Sequence, residues 1–151
     1  MPQSLSAVHV HLIFSTKGRR PLLHDVALRE ALHAYLGGIS RELDCPPVRI
    51  GGVADHVHIL ARLGRTISQA DWVKEIKRVS TLWLKGHTGN LADFQWQAGY
   101  ACFSVSQSNI SRVADYIAQQ EEHHRHTTYQ NELLAFFEKH QIEFDKRYVW
   151  D

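Results

Sequence analysis

The apolar and polar positions of the chain alternate in two different rhythms, and their order predicts the architecture. Residues 7–16 read as a strand, and residues 25–43 carry apolar side chains at helical spacing. Residues 48–63 read as two strands that pivot near Gly51 and Gly52, a pair suited to a tight approach. Residues 67–85 are helical, residues 94–105 extended, and residues 108–126 helical again. A last helix spans residues 130–140, its start capped from within residues 127–129. The order βαββαβ followed by helices predicts an α+β sandwich of ferredoxin-like topology with an antiparallel sheet. No repeat or linker interrupts the 151 residues, so 1–151 is expected to be one domain, and residues 86–90 form its clearest flexible loop.

Composition fits that reading, since 44% hydrophobic and 22% charged residues are enough for one ordinary core. The formal net charge of +1 means that an anionic partner has to be bound by locally arranged charge. Two cysteines are too few for a zinc cage, and neither a phosphate-cradling glycine motif nor a serine-nucleophile elbow is present. No signal peptide or membrane-length apolar run is visible, so a cytoplasmic protein with reduced thiols and no membrane partner is expected.

Candidate chemistry begins at Asp55-His56-Val57-His58. Alternate side chains of a strand share a face, so both imidazoles point the same way and supply most of a metal site. By the same alternation, Asp55 is expected on the opposite face and unable to orient His56. In the 108–126 helix, Ile110, Val113, Ala114, Ile117 and Ala118 form an apolar side. Tyr116 and Gln120, four residues apart, stack beside it. Gln120 offers a neutral oxygen that would complete a three-ligand site with His56 and His58, leaving positions open for substrate. His9 and His11 form a second H-x-H pair, read as structural or substrate-facing. His123, His124 and His126 are read chiefly as cations at a helix C-terminus, with His124 an optional extra ligand.

Asp55-His56-Val57-His58 followed by Tyr116-Ile117-Ala118-Gln119-Gln120 resembles the single-tyrosine HUH transposases of insertion-sequence-200-like elements, HUH meaning His, hydrophobic, His. The likeness runs from His9–Lys17 with Arg19, Arg20 and Pro21, through Trp96–Tyr100, to Gln120–Arg125. It implies a metal-dependent enzyme that cleaves and rejoins single-stranded DNA through a 5′-phosphotyrosine, recognises hairpins at element ends, and usually acts as a homodimer. It also implies Tyr116 as nucleophile, His56, His58 and Gln120 as ligands, and Mg²⁺ or Mn²⁺ as the ion. Whether the tyrosine serves its own subunit or a partner's is left open by the sequence.

Two basic clusters are candidates for DNA binding: Lys17, Arg19 and Arg20 after the first strand, and Lys74, Lys77, Arg78 and Lys85 on the helix face opposite Trp72, Ile76, Val79 and Trp83. Phe94, Trp96, Tyr100 and Phe103 are candidates for base stacking, about half of them expected to be buried. Other readings stay open. They are a domesticated relative that processes palindromes, a binding-only hairpin regulator, a two-histidine phosphoesterase, and a ferredoxin-like RNA-binding module with exposed aromatics on its central strands.

Overall fold

The computed structural model describes residues 1–151. Four strands, β1 (His9–Ser15), β2 (Pro47–Gly52), β3 (His56–Arg62) and β4 (Ala101–Val105), form one sheet in the order β2-β3-β1-β4. All neighbours pair antiparallel. This is the ferredoxin-like order expected from the alternation pattern. The sheet is crossed by α1 (Val26–Glu42) and α2 (Gln69–His87), and α3 (Ile110–Ala118), α4 (Gln120–His123) and α5 (Tyr129–Lys139) follow β4.

Strand alternation divides the apolar residues between the two faces of this sheet. Val10, Leu12 and Phe14 of β1 and Val57, Ile59 and Ala61 of β3 join Leu32, Leu36 and Ile39 of α1 and Trp72, Val73 and Ile76 of α2 in the larger core. The opposite parity, Ile13 with Ala101 and Phe103, packs against Tyr129, Leu133 and Phe137 of α5 in a smaller one. His11, His56 and His58 share that second parity, so the fold turns them toward the C-terminal helices.

Local signals set the ends of the helices. The Asp25 carboxylate caps α1 by accepting from the Ala27 amide, Ser68 accepts from Asp71 to start α2, and Thr128 accepts from Asn131 to start α5. The helix expected to run unbroken over 108–126 is interrupted. Gln119 leaves helical geometry (φ −103°, ψ 20°), so α3 ends at Ala118 and Gln120 opens a new turn. Only Ala101–Val105 of the segment expected to be extended over 94–105 is strand, with Trp96 making a single bridge to Thr16.

Close contact fixes α3 on β2. A Cβ on Gly51 would lie 2.6 Å from the Ile117 carbonyl oxygen, so the absence of a side chain lets the helix carrying Tyr116 sit directly on the strand. Arg29 of α1, mostly buried, donates to Leu23 O at 2.9 Å and reaches Glu121 of α4 at 2.5 Å, tying the turn that holds Gln120 to the body of the fold.

Candidate active site

The two histidines of β3 are fully buried, and each is held at Nδ1. His56 Nδ1 lies 2.7 Å from Asp55 Oδ1, and His58 Nδ1 lies 2.8 Å from His11 Nε2. The first contact corrects the expectation that Asp55 faces away. Asp55 sits in the bend that precedes β3, whose first residue is His56, so strand alternation does not govern its direction. The second contact gives one member of the other H-x-H pair a definite place beneath the site. Register accounts for it: Ile13 pairs with His58 and His11 with Leu60, making His11 and His58 diagonal neighbours on one face.

Both Nε2 atoms turn toward Glu132, a buried residue of α5 that the sequence reading did not single out. Glu132 Oε1 lies 3.2 Å from His58 Nε2, 3.3 Å from His56 Nε2 and 3.1 Å from His124 Nε2. His124 therefore joins the β3 pair and does more than sit at the end of a helix, while His126 stays exposed beside Glu122. Gln120 is buried; its Oε1 approaches His56 Nε2 at 3.2 Å and its Nε2 donates to Glu132 Oε2 at 3.2 Å. Tyr116, half-buried on α3, donates its hydroxyl to Glu132 Oε2 and lies 3.3 Å from His123 Nε2. Tyr116 and the histidine pair thus converge on the two oxygens of one carboxylate.

The signal for Glu132 was present but faint. Tyr129, Leu133, Phe136 and Phe137 form the inward stripe of α5, and Glu132 interrupts that stripe with a charge. A carboxylate on an inward face has to meet cations or donors.

The electrostatics follow from this packing. Burial alone would raise the Glu132 carboxyl, but hydrogen bonds from His124, His56 and His58 outweigh it and hold the group far below the usual carboxylate range. For His56 burial again opposes the charge, yet the bonds to Asp55 and Glu132 dominate and lift the ring to about 9. His58 goes the other way, lowered to about 4 by complete burial despite Glu132. Burial first, and then the Glu132 charge, push the Tyr116 phenol well above its ordinary value. His56, His58, His124 and Glu132 each offer one donor atom within 4.8 Å of the others, a set of imidazoles and a carboxylate able to hold a divalent metal ion.

A cleft of about 570 Å³ opens on Tyr116 and Glu132, with Arg112, Lys139, Asn109 and Asn131 among its walls. Arg112 and Lys139 are exposed cations outside both basic clusters read from the sequence. Those clusters partly converge. Lys17, Arg19, Lys77, Arg78 and Lys85 line one groove of about 1000 Å³ together with Trp150, whereas Arg20 and Lys74 lie outside its walls. Lys77 is tucked in, donating to Gln97 O at 2.8 Å and Gly99 O at 2.6 Å, and burial lowers its ammonium to about 8. Of the candidate stacking residues, Phe94, Trp96 and Phe103 are core and Tyr100 is exposed. Phe14, on a central strand, is fully buried, against the surface expected of an RNA-binding module.

The description of the IS200-like transposases matches residues 4–120 of the chain. The chain belongs to this family. No curated protein matches it. Among solved structures, the transposase is similar to a candidate transposase from Deinococcus radiodurans R1, with 22% identity, a TM-score of 0.62, and coverage of 80% of this chain and 95% of that one. It is also similar to a REP-associated tyrosine transposase bound to a REP hairpin, with 16% identity, a TM-score of 0.59, and coverage of 82% and 72%. These likenesses carry the shared α+β fold with its four-stranded antiparallel sheet. No helix of the transposase is long and apolar enough to cross a membrane.

Proposed function

We propose that this transposase cuts and rejoins single-stranded DNA at element ends through a covalent bond between Tyr116 and a 5′-phosphate, with His56, His58 and Gln120 among the ligands of a divalent ion, Mn²⁺ or Mg²⁺. The observation that supports the reading best is the meeting of Tyr116, the β3 histidines and Gln120 around one buried carboxylate in a single chain. A divalent ion held by these donors would neutralise the phosphate charge and help position the scissile bond. Tyr116 Oη forms the new bond to phosphorus as its phenol proton leaves to solvent, the P–O3′ bond breaks, and the departing 3′-oxygen takes up a proton in turn. The diester energy is kept, so a free 3′-hydroxyl can later attack the phosphotyrosine and join a new strand. Transfer, not hydrolysis, follows from a side-chain nucleophile.

The cleft in front of Tyr116 is the route for the strand to be cut, and Arg112 and Lys139 at its walls suit a phosphate backbone. The second groove, with Lys17, Arg19 and Lys85, suits the hairpin stem. A hairpin is what the REP-associated relative binds. We read the protein as cytoplasmic and as working in a homodimer, with 1–151 as one catalytic domain.

The test is incubation with single-stranded DNA carrying the element-end hairpin and its flank, in Mn²⁺, in Mg²⁺ and in chelator, resolved on a denaturing gel. A covalent adduct that needs the metal and is lost in His58→Ala is expected. Equal adduct in chelator, or a normal rate for His58→Ala at limiting metal, would contradict the assignment.

A further inference from the structure

We infer that Glu132 is itself a ligand of the metal through Oε1, beside His56, His58 and His124, and that through Oε2 it links that centre to the hydroxyl of Tyr116. This rests on the reading of the β3 histidines as metal ligands.

The geometry around Glu132 Oε1 carries the inference. His124 Nδ1 lies 3.0 Å from the Thr127 carbonyl oxygen, which can only accept, so the Nδ1 proton is committed there. His56 Nδ1 is engaged in the same way by the Asp55 carboxylate. The Nε2 atoms of all three rings, His58 included, converge on the single oxygen Glu132 Oε1 at 3.1–3.3 Å, an arrangement that one divalent ion among them would hold together.

The spacing agrees. In a tetrahedral site with bonds of about 2.1 Å, neighbouring donors stand about 3.4 Å apart. Glu132 Oε1 stands 3.1–3.3 Å from all three imidazole nitrogens, so three edges of such a tetrahedron are nearly formed. Each imidazole also has its second nitrogen held from outside, by Asp55, His11 and Thr127, the support that fixes a ligating ring. The other carboxylate oxygen, Oε2, already accepts from Tyr116 and from the Gln120 amide. One side chain thus spans the metal centre and the nucleophile.

Calorimetric titration of the full chain with Mn²⁺ is the first arm of the test, on the native protein, Glu132→Gln and His124→Ala. Both variants are expected to bind at least about 10-fold more weakly. The partly exposed His124 serves as the second probe should Glu132→Gln fold poorly. The second arm measures adduct formation at Mn²⁺ saturating for each variant: Glu132→Gln should remain slower than His124→Ala. Unchanged affinity in Glu132→Gln overturns the ligand role, and full recovery of its rate overturns the link to Tyr116. No Mn²⁺ binding by the native protein overturns instead the metal reading beneath both.

Discussion

Glu132 shows how one buried charge organises a site at the scale of single residues. Its carboxylate is buried, and His56, His58 and His124, candidates for the chemistry, all converge on it. The residues behind those partners matter as well. Because His11 and Asp55 hold the outer nitrogens of His58 and His56, His11→Ala and Asp55→Ala should each lower Mn²⁺ affinity about tenfold while the fold persists, read by calorimetric titration. Unchanged affinity would make both contacts incidental. His33 has no contact with the Glu132 cluster; burial first and the neighbouring Arg29 charge second lower it to about 4, and its Nε2 has no partner. A base depressed in the folded state binds fewer protons there than in the unfolded chain. Its contribution is therefore complete above about pH 6.5 and is lost as pH falls through about 4. His33→Gln should flatten part of the acid-side fall in melting temperature, by the equivalent of about 2–3 kcal/mol between those limits. Identical acid slopes would remove His33 as a contributor. The shared face of His56 and His58 was legible from period-2 spacing, whereas Tyr116 and Gln120 were singled out on the expectation of one unbroken helix that the break at Gln119 divides. Glu132 was not, since its role depends on α5 folding back over the sheet, and sequence distance hides that contact.

At the scale of elements, the precision of the site rests on how α3 sits on β2. Gly51 is the contact point, and a methyl there would meet the Ile117 carbonyl at 2.6 Å. Gly51→Ala should cost about 1–3 kcal/mol and displace Tyr116, reducing adduct formation at least tenfold, as seen by thermal melts and the gel assay. Gly38→Ala, in α1 with open space around it, is the control and should be neutral or stabilising by about 0.5–1 kcal/mol. Equal behaviour of the two variants would show that the close approach does not set the position of α3. Most elements were predicted within a few residues, since their caps and apolar periods are local. The break at Gln119 was not predictable by periodicity: the apolar pattern continues through it, and the turn is held by the distant pair Arg29 and Glu121. Asp55 was misjudged for a related reason, as a rule valid inside a strand was applied one residue before its start.

At the scale of the whole molecule, the fold gathers charge that the sequence keeps apart. Lys17 and Arg19 follow β1, Lys85 ends α2, and all three line one groove although the net charge is only +1. Lys17→Ala combined with Lys85→Ala should weaken hairpin binding and make its salt dependence shallower by about two phosphate contacts, measured by binding across a salt series. An unchanged slope would leave the groove to solvent. Lys77 is a poor choice for that test, because its ammonium is spent on the Gln97 and Gly99 carbonyls. The sequence could name the cations but not sort the free from the committed, a distinction made by contacts between α2 and the segment before β4. The proposed nucleophile, Tyr116, is tested most directly by peptide mapping of the adduct by mass spectrometry, beside the same reaction with Tyr116→Phe. The account predicts a 5′-phosphate on the peptide containing Tyr116 and no adduct in the variant, with hairpin binding retained. An adduct mapped to another residue, or one formed by Tyr116→Phe, would contradict it.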